Sequence, residues 1–263
     1  SPLDSQNDSR MIFSHKVHDS DSLHELMGEK ARKLLELTEK TFPVPPFAVL
    51  TTIECARIFH EDGTRDDVLL RKYGDTLRDA YPTVLRFAVR SAAKNEDGKT
   101  HAHAGEFSTY LHVLPSELEI YIAQVLTDAQ EKQGVSPSAF SLIIQECIEE
   151  IEYGGVLFTR SPRGGCEMVV EYNRGEGVGV VHGSHVVRES WYGAGEYATH
   201  TPRVRVRLPQ FRTLQAYGSA LERLYAFPQD IEWIYRKGKY AILQTRPITS
   251  ITDGNWQGIQ LGD

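Results

Sequence analysis

Asp230-Ile231-Glu232-Trp233-Ile234-Tyr235, then Arg236-Lys237-Gly238-Lys239, then Tyr240-Ala241-Ile242-Leu243-Gln244-Thr245-Arg246-Pro247 is the stretch whose reading decides the fold. Two apolar-rich runs flank a polar, glycine-containing turn, the pattern of a β-hairpin. Successive strand residues point to opposite faces. Asp230 and Glu232 therefore share one face of the first arm, with Ile231, Trp233 and Tyr235 on the other. On the second arm, Gln244 and Arg246 are expected on a face with Ile242, opposite Ala241, Leu243 and Thr245. If the loop around Gly238 holds an odd number of residues, as in a three-residue loop, even-numbered residues pair with even ones. Asp230, Glu232, Gln244 and Arg246 then form one patch. Hard oxygen ligands suit Mg²⁺, and a guanidinium fork suits a phosphate. A surface hairpin with a salt bridge fits the same pattern.

The other features bound the function. The 263 residues suffice for one large domain or two lobes. Hydrophobic residues make up 40% and charged ones 25%, an ordinary globular composition. A formal net charge of −7 argues against nucleic acid or anionic membrane as partners. Any phosphate site must be a local arrangement of positive groups. No apolar run is long enough to span a bilayer, and no secretory leader is visible. Cys55, Cys147 and Cys166 fit neither a disulfide framework nor a zinc pattern, so reduced thiols and a cytoplasmic location are expected. The chain opens on Ser1, and residues 1–10 read as loose, as in a piece of a longer protein.

Periodicity predicts helices over 28–40, 53–60, 66–81, 116–133 and 211–225. Strands are expected over 47–52, 85–91, 110–113, 140–147, 154–159, 166–172 and 178–187, with basic and apolar residues alternating over 203–208. The mixture lacks a βαβ rhythm. It implies an α+β fold of two lobes with mainly antiparallel sheet, residues 1–114 and 115–263, divided near Pro115.

Several residues outside the hairpin suit phosphate chemistry. Lys30 falls in the first turn of a helix, where a cation opposes the helix dipole unless an anion sits nearby; a solvated lysine beside Glu29 is the simpler reading. Arg90 and Ser91 are expected at a strand end, where arginine could grip a phosphate or form a structural ion pair. Residues 103–109 are small and polar, so their backbone N–H groups could approach an anion. His101 and His103 have no third partner and read as solvated. Gln145 and Glu146 end a strand, a weak signal for gripping a purine edge. Arg160 stands at another strand end. Residues 174–179 are glycine-rich but lack the spacing of a dinucleotide or P-loop motif.

Taken in order, these segments resemble the N-terminal ATP-binding domain of the pyruvate phosphate dikinase and phosphoenolpyruvate synthase family. The matching stretches are Gly28-Glu29-Lys30-Ala31, Val44-Pro45-Pro46-Phe47, Val89-Arg90-Ser91-Ala92, Ala104-Gly105-Glu106-Phe107-Ser108-Thr109-Tyr110-Leu111, Gly155-Val156-Leu157-Phe158-Thr159-Arg160-Ser161-Pro162, Asp230-Ile231-Glu232-Trp233 and Leu243-Gln244-Thr245-Arg246-Pro247-Ile248-Thr249. The resemblance implies an ATP-grasp-like fold, two lobes enclosing a nucleotide cleft. It implies that Lys30 and Arg90 bind ATP phosphates, and that Gly105, Glu106, Ser108 and Thr109 cover the terminal ones. Glu232 and Gln244 would hold Mg²⁺ with Asp230 in support, Arg246 would contact a phosphate, and Gln145 and Glu146 would lie near adenine. Lys30, Arg90 and Arg246 would serve the transfer itself.

The chain departs from the family pattern in four places. Glu29 replaces the second of two glycines before the lysine. Residues 115–138 and 161–165 are compressed, and residues 173–177 replace a Gly-Leu-Gly-Glu stretch. None of the ten histidines sits in a carrier-type loop. The resemblance therefore implies a dikinase-like phosphotransferase domain that needs a phosphohistidine carrier domain in cis or trans. A non-catalytic ATP-binding module, or an ATP-grasp ligase or small-molecule kinase acting directly, are the alternatives.

Overall fold

A computed structural model describes residues 11–16, 24–93, 108–134, 136–175, 187–191, 207–248 and 250. The strands in chain order are β1 (Met11–Phe13), β2 (Phe47–Leu50), β3 (Phe87–Ala93), β4 (Thr109–Val113), β5 (Phe140–Glu146), β6 (Tyr153–Phe158), β7 (Met168–Arg174), β8 (Val187–Trp191), β9 (Gln229–Arg236) and β10 (Lys239–Pro247). The α-helices are α1 (Glu29–Glu39), α2 (Thr52–Ile58), α3 (Asp67–Ala80), α4 (Leu118–Gln133) and α5 (Phe211–Tyr225). The α+β class and the mainly antiparallel sheet expected from sequence are found. Residues 178–186 of the expected strand 178–187 and residues 203–206 of the alternating stretch 203–208 lie outside the described residues.

The chain divides into two compact units, residues 1–149 and 150–263. The boundary expected at 114/115 is displaced because α4 and β5 follow Pro115 yet belong to the first unit. Its sheet runs β1-β2-β5-β3-β4, and β5 pairs antiparallel with both β2 and β3 at its centre. Proline marked a local break there, not a domain edge.

One face of the first sheet carries Ala48, Leu50, Phe87, Val89, Leu142 and Ile144 into a core with Cys55, Ile58, Tyr73, Leu77, Ile122 and Leu126 from α2, α3 and α4. Burying each large apolar side chain contributes about 1.5–3 kcal/mol. Asp66 caps α3, its carboxylate accepting from the N–H groups of Val68 and Leu69 at 3.1 and 2.9 Å. The opposite face, with Ala88, Arg90, Ser141 and Ile143, receives the start of α1. There the Gly28 N–H donates to Ser141 Oγ at 3.0 Å, and the same hydroxyl donates to the Ala92 carbonyl at 3.3 Å.

The second unit is built on the sheet β10-β9-β6-β7-β8. Phe211, Leu214, Gly218 and Leu221 recur at helical spacing and form the buried stripe of α5. A Cβ on Gly218 would come within 2.7 Å of Leu157 Cδ2, so glycine lets α5 press closely on β6. The helix thus covers the face that holds Leu157 and its cross-strand partner Ile231.

The hairpin joining β9 and β10 differs from expectation in its turn. Arg236 pairs with Lys239, leaving a two-residue loop of Lys237 and Gly238 with φ of 47° and 80°. Positive φ at both positions is the mark of a type I′ turn. That even loop sets Tyr240 opposite Tyr235 and Ile242 opposite Trp233. The register then shifts between Ile242 and Gln244, with Leu243 as the extra residue of a β-bulge. Beyond it Gln244 faces Glu232, Thr245 faces Ile231 and Arg246 faces Asp230. Ile242 consequently lies on the Trp233 face rather than with Gln244.

Candidate functional site

Directly opposed residues on neighbouring strands share a face. One row across the second sheet therefore reads Gln244, Glu232, Val156, Glu171, and the next reads Arg246, Asp230, Phe158, Val169. These rows lie on the face away from α5. The four hairpin residues singled out from sequence are thus brought together, through the bulge rather than the loop length.

Asp230 is 8% exposed. Its Oδ2 accepts from Arg246 Nε at 2.9 Å, while Oδ1 is buried without a hydrogen-bond partner. Burial pushes this carboxyl above its usual range; Arg246 opposes the shift, and Glu232 and Glu171 add to it. Gln244 is buried and Glu232 half-buried, while the Arg246 guanidinium is largely exposed. The patch presents hard oxygens, an amide and an arginine head at a sheet surface. Glu171, given no role in the sequence reading, joins the patch through sheet order alone.

A divalent cation fits this donor set. Asp230 Oδ1 is buried with no hydrogen-bond partner, and carboxylate and amide oxygens are the ligands Mg²⁺ takes. Among the described residues no group of three or more His, Cys, Asp or Glu forms a metal cage. A cation here would thus need other oxygens besides the protein carboxylates.

The first unit holds the remaining sequence-predicted residues. Lys30 occupies the first turn of α1, whose start Ser141 pins to the sheet face carrying Arg90. The neighbouring Glu29 carboxylate accepts from Arg32 at 2.9 and 2.7 Å and lies 3.8 Å from Lys33 Nζ, so its charge is met along the helix. Arg90 sits inside β3, not at its end, because the strand continues to Ala93; it pairs with Ile143 and with Thr109. Thr109 is exposed. Ser108 donates its hydroxyl to Asp128 at 2.6 Å, and this carboxylate also accepts from Tyr110 at 2.7 Å and Gln124 at 3.0 Å. Gln145 is buried, and its amide donates to the Pro45 carbonyl at 3.2 Å. Glu146 is half-buried beside it and turns to the other face. Gly105, Glu106, His101 and His103 lie outside the described residues.

Arg160 is engaged within its own unit. It donates to Glu222 of α5 at 2.7 Å and to the Cys166 carbonyl at 2.9 Å. Arg174 lies over the Tyr153 ring, 5.4 Å from its centroid.

Comparison with known proteins places the chain. The sequence model of the pyruvate phosphate dikinase, AMP/ATP-binding domain family matches residues 67–192 and 194–259. The chain belongs to that family. It is 27% identical to a probable phosphoenolpyruvate synthase of Methanocaldococcus jannaschii, over 90% of this chain and 22% of that protein. It is 27% identical to the prodigiosin synthesizing transferase PigC of Serratia marcescens, over 85% of this chain and 32% of that one. A rifampicin phosphotransferase of a Streptomyces species is 28% identical over 63% of this chain and 24% of its own length. The chain therefore spans between about a fifth and a third of these relatives. Among solved structures, the D-alanyl-alanine synthetase A of Vibrio cholerae aligns with a TM-score of 0.45 at 10% identity, over 87% of this chain and 57% of that one. This structural likeness is weak. No helix among the described residues is long and apolar enough to cross a membrane.

Proposed function

We propose that this chain is the ATP-grasp domain of a dikinase-like phosphotransferase, which binds Mg-ATP and passes a phosphoryl group to a carrier histidine on another domain or partner. Membership of an AMP/ATP-binding domain family supports the nucleotide. The observation that carries the rest is the pairing of Gln244 with Glu232 and of Arg246 with Asp230 on one sheet face, with Asp230 Oδ1 left without a partner. AMP is the expected final nucleotide product, and the names of the relatives point to small-molecule acceptors.

Phosphoryl transfer asks a protein chiefly for positioning and charge neutralisation. Glu232 and Gln244 would hold Mg²⁺, with Asp230 beside them. The ion would supply neutralisation of the phosphate charge. Arg246, anchored through Nε to Asp230, would turn its guanidinium toward a phosphate oxygen. Lys30 and Arg90 would add positive charge from the first unit. Ser108 and Thr109 would border the terminal phosphates, and Gln145 and Glu146 would lie near the adenine.

Titration of the protein with ATP in the presence and absence of Mg²⁺ tests the reading, followed by incubation with labelled ATP and a carrier domain of the family. Magnesium-dependent binding that Glu232→Ala abolishes is expected, with label transferred to the carrier. Binding that ignores both magnesium and Glu232→Ala would refute it.

A further inference from the structure

The bulge at Leu243 determines which way Gln244 and Arg246 face, yet Leu243 itself is ordinary: an aliphatic residue within an apolar run. A bulge can migrate along its strand when nothing pins it, because each position exchanges one set of ladder pairs for another. If the pairing near the turn ran on unshifted, Leu243 would face Glu232, and Gln244 would turn toward Ile231 and the face under α5. What pins the shift lies on that hidden face, directly behind the site.

Thr245, between Gln244 and Arg246, is 2% exposed and donates its hydroxyl to Gln229 Oε1 at 3.0 Å. Gln229 is fully buried, and its side-chain amide donates to the Phe227 carbonyl at 2.9 Å. Its backbone is clamped to β6 in both directions. The Gln229 N–H donates to Thr159 Oγ1 at 2.8 Å, and the Thr159 N–H donates to the Gln229 carbonyl at 2.9 Å. Thr159 is also fully buried. Moving the bulge beyond Thr245 would turn this hydroxyl away and leave the Gln229 oxygen unsatisfied in the core, a cost that falls on every register in which Thr245 no longer faces Ile231.

We propose that Gln229 and Thr245 are positioning residues for the patch: their buried hydrogen bond, tied through Thr159 to β6, holds the shifted register that turns Gln244 and Arg246 toward Glu232 and Asp230. They touch no ligand and act through strand register. The statement about register stands on the fold alone, while its consequence for ligand rests on the Mg-ATP reading above.

The test uses the full chain and the variants Thr245→Val, Thr245→Ser and Gln229→Met. Register is read by nuclear Overhauser contacts between Gln244 and Glu232 across the strands, and ligand by titration with ATP in Mg²⁺. Thr245→Val is expected to remain folded, lose the Gln244–Glu232 contacts and bind Mg-ATP roughly tenfold more weakly, as loss of a buried hydrogen bond implies. Thr245→Ser, which keeps the hydroxyl, restores both. Gln229→Met repeats the loss by removing the acceptor and serves should Thr245→Val fail to fold. Intact contacts in both folded latch variants overturn the proposal, as does weaker binding with register unchanged. If wild-type protein binds no Mg-ATP, the functional reading falls, while the cross-strand contacts still decide the latch.

Discussion

Gln244 stands directly opposite Glu232 although the turn joining their strands holds only two residues. An even turn followed by an unbroken ladder would pair residues of opposite parity. The pairing exists because Leu243 is accommodated as an extra residue. The shared face of Gln244 and Glu232 thus depends on an irregularity in the strand.

Removing the irregular residue should be milder than adding another. With Leu243 deleted, Ile242 still faces Trp233 and the next residue, Gln244, still faces Glu232, now in a regular ladder. The deletion is expected to keep both the fold and Mg-ATP binding within a few-fold of wild type. Inserting an alanine between Leu243 and Gln244 adds a second unpaired residue and should weaken binding roughly tenfold or more through misplaced ligands. Calorimetric titration of both proteins beside wild type checks the contrast.

Arg246 offers a separation of binding from stability. Its guanidinium is 56% exposed, so the pair with Asp230 adds at most about 1 kcal/mol to folding. Arg246→Lys keeps the charge but loses the fork that holds Asp230 and, as proposed, would hold a phosphate as well. Urea unfolding should shift little, while ATP affinity falls roughly tenfold. A large loss of stability with unchanged affinity would remove Arg246 from the phosphate site.

The buried Asp230 predicts a pH dependence. Its carboxyl is raised in the folded protein above the ordinary 3.8, burial being the main cause. The folded state then holds its proton more tightly than the unfolded chain. Below the unfolded value both states are protonated and Asp230 carries no ionisation penalty; the penalty develops as pH rises toward the folded value. Asp230→Asn should therefore gain stability relative to wild type as pH climbs from about 3.5 to 7, while losing Mg-ATP affinity. Urea unfolding of both proteins at the two ends of that range measures it; a difference independent of pH would contradict the assignment.

Much of this was legible in the chain, and the failures have local causes. The hairpin itself could be read because alternation and a glycine turn are short-range signals, but the pairing of its acids with Gln244 and Arg246 was expected from an odd loop and arises from the bulge. The bulge could not be read, because nothing in Ile242-Leu243-Gln244 marks one register over the other; the latch that selects it joins residues 16 apart. Glu171 stayed hidden because only the strand order β9-β6-β7 brings it into the row of Glu232. Arg90 read as a strand end because Ala92 and Ala93 carry little strand propensity, yet β5 pairs with both. The hydrogen bonds of Ser108 and Gln145 could not be read locally either, because their partners, Asp128 and Pro45, lie 20 and 100 residues away.

Thiol reactivity reports on the first core. Cys55 is fully buried, and burial pushes its thiol well above the usual range, while Cys166 is exposed. A thiolate is the reacting form, so native protein should label at Cys166 and leave Cys55 untouched until unfolded. Peptide mapping after brief labelling, with and without urea, distinguishes them. Fast native labelling at Cys55 would mean that the layer of α2 against β2 and β5 opens readily.

Asp128 links a helix to the strand that carries Ser108 and Thr109. Its carboxylate is 3% exposed and gathers donors from Ser108, Tyr110 and Gln124. Hydrogen bonds to it also hold the Tyr110 phenol above its usual range, because ionising that phenol would place a second negative charge against the carboxylate. Asp128→Ala leaves three polar groups without their acceptor and should destabilise the protein by about 2–4 kcal/mol. Asp128→Asn keeps an acceptor oxygen but brings donors of its own, and should lie between alanine and wild type. If Ser108 and Thr109 border the ATP phosphates as proposed, Asp128→Asn should weaken ATP binding more than its loss of stability accounts for, because it loosens the start of β4 that presents them. Urea unfolding and ATP titration on the same samples separate the two effects; a variant that loses stability but binds ATP as wild type would confine Asp128 to the fold.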